Sequence, residues 1–157
     1  MPRRSAGLLV YRRRPSEQVE VLLAHPGGPF FARKDLGSWT VPKGEHDDSE
    51  PPLAAARREF AEEVGLAPPE GACLDLGEVR QASGKLVRAF AVEGDLDLTG
   101  STSNLFEMEW PLSSGRKESF PEVDRVEWFD LAEARRRLNP SQVAFVDRLA
   151  ALLGPAG

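Results

Sequence analysis

The chain has 157 residues, 41% of them hydrophobic and 29% charged, with a formal net charge of -5. That length suits one domain burying roughly two thirds of its unfolded surface and leaves no room for two. A lone cysteine, Cys73, excludes an intrachain disulfide and a cysteine-rich zinc site, and arginines scattered in short clusters make no nucleic-acid footprint.

Near the N-terminus, the apolar run from Ala6 to Tyr11 stops at Arg12, Arg13 and Arg14, too short for a signal-peptide core or a membrane span. The expectation is a cytoplasmic protein in a reducing compartment, with neither a membrane nor a nucleic-acid partner. Residues 7–11 and 19–23 read as two strands, and the Pro, Gly and Phe-rich stretch 25–38 as a long surface loop. Pro51 suits the start of a helix, where a missing N–H has no partner to lose. Leu53, Ala56, Phe60 and Val64 then recur at helical spacing, and Gly65 suits a left-handed stop, so the spacing predicts a helix over 51–64.

Beyond it, residues 73–81 and 85–93 read as a hairpin around Ala82, Ser83 and Gly84, and 104–110 and 125–129 as two further strands. Helices are predicted over 131–138 and 140–153, with Leu138, Phe145, Leu149 and Leu152 as a buried stripe. Residues 154–157 are expected to be a disordered tail. Without a repeat or a dividing linker, strands interrupted by one helix and closed by C-terminal helices indicate a single α+β layered domain over 1–153.

The chemistry concentrates at residues 44–66. At 3.6 residues per turn, Glu59, Glu62 and Glu63 fall within an arc of about 100°, so three like charges share one helix face. Such pairs destabilise an isolated helix by a few tenths of a kcal/mol each. Spacing alone leaves two readings open: a solvated acidic face, or a site for a hard cation, which prefers carboxylate oxygens. The surrounding pattern adds Gly44, Glu50, Arg58, Phe60, Gly65 and Leu66 at fixed separations.

This stretch, GEHDDSEPPLAAARREFAEEVGL, resembles the Nudix box, G-x5-E-x7-R-E-U-x-E-E-x-G-U with U a bulky apolar residue, and every defining position is matched. Phe60 stands where an aliphatic residue is commoner, and Ser49 where many members have glycine. The resemblance implies an α/β/α sandwich around a mixed central sheet, with a catalytic loop-helix-loop and C-terminal helices. It implies that Glu59, Glu62 and Glu63 bind magnesium or manganese, assisted by a backbone carbonyl at Lys43 or Gly44, and that Glu50 and Arg58 pair to brace the loop against the helix. It also implies hydrolysis of a diphosphate linkage in a small-molecule nucleotide or other diphosphate, with Glu59 and Glu63 catalytic through the metal. The general base would be Glu59 or a loop glutamate, here Glu122 with Glu118 as runner-up. Glu107 and Glu109 make one face of a predicted strand acidic, which reads as solvated. A homodimer is left open.

Trp39-Thr40-Val41-Pro42-Lys43-Gly44 is similar to the W-x-x-P-K-G lead-in of Nudix enzymes acting on diadenosine polyphosphates and inositol-type diphosphates. Lys43 would hold a distal phosphate, with Arg33 and Lys34 adding positive charge, and Phe30 and Phe31 would either stack on a base or, as loop aromatics more often do, pack against the protein. The alternative for Trp39 and Pro42 is structural: a core side chain and a turn. A diadenosine polyphosphate or a nucleoside triphosphate is the leading substrate, with ADP-ribose, nucleotide sugars, diphosphoinositols or a catalytically silent nucleotide-sensing module as alternatives. His25 and His46 read as solvated loop histidines outside the site.

Overall fold

Ala6, Leu8 and Val10 alternate along the chain with Gly7, Leu9 and Tyr11, so the strand that carries them is apolar on both faces. Such a strand is stable only when both faces are covered. The computed structural model, which describes residues 3–16 and 18–154, puts this strand, β1 (Arg4–Arg13), inside a mixed sheet. It pairs in parallel with β5 (Leu86–Glu93) and antiparallel with β2 (Val19–Pro26) and the short β3 (Lys43–Glu45). With β4 (Leu74–Arg80) and β8 (Val123–Asp130) at the edges, the order is β4-β5-β1-β2-β8, and β3 extends β1.

One face carries α1 (Pro52–Val64), whose Ala55, Ala56, Phe60 and Val64 pack on Ala6, Leu8, Val10 and Leu22. The other carries α2 (Leu131–Arg137) and α3 (Val143–Leu153), whose Ala134, Phe145, Val146 and Leu149 pack with Leu9, Leu23 and Trp39. The result is the α+β sandwich. Local chemistry sets the helix ends: Gly65 takes φ 76° and donates its N–H to the Ala61 carbonyl, and Asp130 accepts from the Glu133 N–H at 2.7 Å to start α2. No helix among the described residues is long and apolar enough to cross a membrane.

The lead-in to the acidic helix is held from both layers. Trp39 is fully buried and donates its indole N–H to Asp35, while Thr40 exchanges backbone hydrogen bonds with Ala24. The Val41 N–H donates to Gln142 Oε1 at 2.9 Å, and the Pro42 carbonyl accepts from Leu8 at 3.1 Å. Trp39 and Pro42 are therefore part of the core scaffold that delivers Lys43 and Gly44 to the end of α1.

Several elements depart from the sequence expectations. His25 and Pro26 belong to β2 rather than to a surface loop, and His25 is fully buried, because β8 pairs along the whole of β2 and closes over its end. β3 and β7 (Lys117–Pro121) are strands that the pattern does not announce: one has three residues, the other no apolar alternation, and each exists through its partner. β7 pairs with β6 (Leu105–Glu109) in a ribbon separate from the main sheet. The ribbon lays Phe106 on Gly28, and Trp110 just beyond it packs edge-on against Phe30 at 5.7 Å, leaving Glu107 and Glu109 exposed. Residues 140–142 form a single 3-10 turn before α3, and Leu152 is 55% exposed rather than part of the buried stripe, because α3 turns it away from the sheet. Of the expected tail, residues 155–157 lie outside the described residues.

Phe60→Ala removes the largest side chain that α1 buries and is expected to lower stability by about 3 to 5 kcal/mol in chemical denaturation, with little change for the exposed Phe31→Ala.

Candidate active site

Glu59 and Glu63 lie on the side of α1 that meets β3. There is no side chain at position 44 to displace the Glu59 carboxylate: a Cβ built on Gly44 would overlap its carboxyl group. Only glycine lets the carboxylate rest on the strand. The Lys43 N–H donates to Glu63 Oε2 at 3.2 Å. Bonds from Leu8 N–H to the Pro42 carbonyl and from His46 N–H to the Arg4 carbonyl bracket the Ala6–Gly44 pair. In an antiparallel ladder the backbone groups of Gly44 then face β1, and those of Lys43 point away from it, toward the glutamates.

Arg58 organises the outer side of the cluster. Its guanidinium makes two bonds to Glu50, at 2.9 and 2.8 Å, and also reaches Glu59 at 2.8 Å and Glu62 at 3.3 Å. The fork geometry matches a carboxylate, so Glu50 is tied from the loop to the helix. Glu50 is accordingly held below the ordinary carboxylate range, first by this bond.

The inner carboxylates behave oppositely. Burial pushes Glu63 up to about 8, against the pull of the Lys43 amide and ammonium, and the charges of Glu122 and Glu59 push it further. Glu59 is raised too, first by burial, then by Glu62 and Glu122, with Arg58 opposing. Lys43 is lowered by burial and by Lys85, with Glu63, Glu45 and Glu59 opposing. Glu122 thus sits close enough for its charge to act on both inner glutamates, whereas Glu118 lies on β7 opposite Met108.

Glu122 is carried there by a strap, residues 98–104, that closes the C-terminal end of α1. The Thr102 N–H donates to the Val64 carbonyl at 3.0 Å and the Asn104 N–H to the Glu62 carbonyl at 3.3 Å, using acceptors a helix end leaves free. Asn104 in turn accepts from the Glu122 N–H at 2.8 Å, and Ser103 Oγ accepts from the Val123 N–H at 3.0 Å. Between strap and β8 opens a cleft of about 270 Å³, with Glu63 at its edge and Asp124, Arg125 and Glu127 along its strand side. These strap hydroxyls and β8 side chains have no signature in the sequence; only the alternation of β8 could have hinted that some of them face one way.

The arrangement gathers Lys43, Gly44, Glu59, Glu63 and Glu122, with Glu50, Arg58 and Glu62 on the outer side. Arg33 and Lys34 are exposed on the loop after β2 and do not line the cleft. Phe31 lies under the Lys34 ammonium at 5.3 Å, and Phe30 packs against Trp110.

The family description "NUDIX domain" matches residues 1–149. The chain belongs to the Nudix family. Its fold is similar to the NUDIX domain of Shewanella oneidensis NrtR complexed with ADP ribose, with a TM-score of 0.68 at 18% identity over 98% of this chain and 90% of that one. It is also similar to a C. elegans Ap4A hydrolase, with a TM-score of 0.65 at 20% identity over 96% and 97% of the two chains. The Nudix hydrolase RenU from M. smegmatis gives 0.59 at 24% identity over 95% and 84%. No curated protein matches the chain in sequence.

A Nudix enzyme generally uses a divalent metal, and the donor set here fits one in chemistry: hard carboxylate oxygens, two of them raised first by burial and then by neighbouring carboxylates. Among the described residues no three acidic, histidine or cysteine side chains converge on one point. Arg58 bonds both Glu59 and Glu62, while Glu63 accepts from the Lys43 N–H instead.

Because Glu63 binds its proton more tightly in the folded state than at its ordinary 4.5, metal-free stability is lost as pH rises from that value through about 8. Glu63→Gln is expected to raise the metal-free melting temperature at pH 9, with the gain shrinking toward zero by pH 4; equal gains at both pH values would contradict the burial of this carboxyl.

Proposed function

We propose that residues 1–153 form one Nudix hydrolase domain that cleaves a diphosphate linkage in a nucleoside diphosphate derivative. The observation that carries this is the placement of Glu59 and Glu63 against β3, partly desolvated, with Glu122 near enough for its charge to act on both and Glu63 lining a cleft. Glu59, Glu62, Glu63 and the Lys43 carbonyl would hold magnesium or manganese; of the two carbonyls the pattern allows, Lys43's is the one that the β1–β3 ladder leaves pointing at the glutamates. When bound, the metal would neutralise phosphate oxygens and lower the proton affinity of a water.

The chain's own groups do the rest. Glu122 takes the proton from water as its oxygen bonds to phosphorus and the anhydride P–O bond breaks, releasing a phosphorylated product. Glu59 is the other candidate base, but its contact with Arg58 keeps it engaged. Lys43 offers a positive charge to a departing or distal phosphate, and Glu50 with Arg58 fixes the loop that carries it. Arg33 and Lys34, outside the cleft, would meet only a substrate that extends past it. A diadenosine polyphosphate or nucleoside triphosphate remains the leading substrate, supported by the Trp39-to-Gly44 lead-in and by the likeness to an Ap4A hydrolase.

The test is a panel of diadenosine polyphosphates, nucleoside triphosphates, ADP-ribose, nucleotide sugars and diphosphoinositols, incubated with magnesium and read by product mass. Turnover of at least one member that stops on chelation is expected. Tight nucleotide binding without turnover would make the chain a sensing module instead. In the active enzyme, Glu63→Gln should cut kcat roughly hundredfold or more with the fold unchanged by circular dichroism, and retained activity would sink the metal assignment.

A further inference from the structure

His25, at the end of β2, is fully buried, and both of its ring nitrogens face oxygens that accept hydrogen bonds. Nδ1 lies 2.7 Å from Asp124 Oδ1, and Nε2 lies 2.6 Å from the Lys34 carbonyl oxygen. A neutral imidazole has one N–H and one lone pair, so it satisfies one carbonyl or carboxylate and sets a lone pair against the other. Two protons are therefore needed between the ring and Asp124. The Asp124 side chain is 31% exposed and has Arg125 at 3.8 Å, so the carboxylate is the better seat for the negative charge and the ring for both protons. A buried charge of this kind is tolerated when it is paired and fully hydrogen-bonded.

The other charged groups near the ring are of both signs, and each is engaged elsewhere. The Trp39 ring lies edge to face with it at 5.1 Å, and the nearest charged side chains of the loop are Lys34, whose ammonium extends over Phe31, and Asp35, which is engaged by Trp39 and Arg137. Arg125 on β8 is turned over Trp39 and toward Glu127.

The two bonds join three pieces of chain that meet beside the candidate site: β2, the loop after it, and the start of β8. Two residues along, the Gly27 N–H donates to the Glu122 carbonyl at 2.9 Å, and Gly27 is packed so closely that a Cβ would lie 1.9 Å from the Pro121 oxygen. The register of β2 with β8 shifts between His25 and Pro26, so regular ladder pairing stops where Glu122 is reached. The strap holds Glu122 from one side, and the His25 junction holds it from the other.

We propose that His25 carries both ring protons and, through Asp124 and the Lys34 carbonyl, is the positioning residue for Glu122. The catalytic half rests on the reading of Glu122 as general base; the charge state and the pinning of the backbone do not. Loss of one ring proton sets a lone pair against the Lys34 carbonyl and frees the loop from β8.

The test has separate arms on the full chain. Nitrogen-15 NMR at pH 7 should show both His25 ring nitrogens protonated, with His46 as the internal comparison; one protonated and one bare nitrogen would overturn the charge assignment. In His25→Gln, and in Asp124→Asn should the first variant fail to fold, amide exchange at Gly27 and Val123 should rise at least tenfold while Leu8 and Leu22 stay protected. Unchanged protection would overturn the pinning whether or not any substrate is turned over. With the substrate found by the panel, either variant should lower kcat about tenfold with KM within twofold, and His46→Gln should do neither. In a Glu122→Gln background the His25→Gln loss should shrink below twofold; the same tenfold loss in both backgrounds would show that His25 does not act through Glu122.

Discussion

The contact on which the site depends is between a backbone and a carboxylate: Glu59 rests on Gly44 with no space for even a methyl group between them. Beside it, the Lys43 N–H of the same short strand β3 bonds Glu63, so two carboxylates of α1 meet the backbone of β3. Everything behind β3 serves to keep it in place. Trp39 is locked into the core, Gln142 bonds Val41, and Leu8 bonds Pro42, so Lys43 and Gly44 leave a rigid layer rather than a free loop.

Packing carboxylates this tightly creates an electrostatic imbalance that one guanidinium only partly corrects. Arg58 serves Glu50, Glu59 and Glu62 at once, while the more deeply placed Glu63 has only the Lys43 amide and ammonium. The opposite shifts of Glu50 and Glu63 follow from this division: one is hydrogen-bonded to a cation at the surface, the other is desolvated among like charges. Within a Nudix fold, that stored repulsion is what a divalent cation would relieve. The arrangement costs local stability, as functional sites commonly do.

The opposite wall of the site is assembled from segments that are far apart in the chain. The strap 98–104 finishes α1 with hydrogen bonds and at the same time grips Glu122 and Val123, while Gly27 and His25 grip the same turn from β2. A polar junction made by several weak bonds has a defined geometry without needing bulk. It explains how a glutamate on the surface can still be held at a fixed place over the helix.

The sequence by itself determined the family, the layered α+β class and the acidic helix, because those rest on local rules: a helical period from Leu53 to Val64, a proline to start, a glycine to stop, and residue identities at fixed spacing. The predicted strands and helices that bury a continuous apolar face were legible for the same reason. β3, β7 and the burial of His25 were not, since a three-residue strand, a polar strand and a polar side chain in the core carry no periodic signal and exist only through their partners. Nor did spacing reveal that Arg58 bonds Glu59 and Glu62 while Glu63 accepts from the Lys43 N–H, or that Glu122 comes near both inner glutamates while Arg33 and Lys34 stay outside the cleft. Those facts depend on distances between segments tens of residues apart, and such distances are set only when the sheet closes.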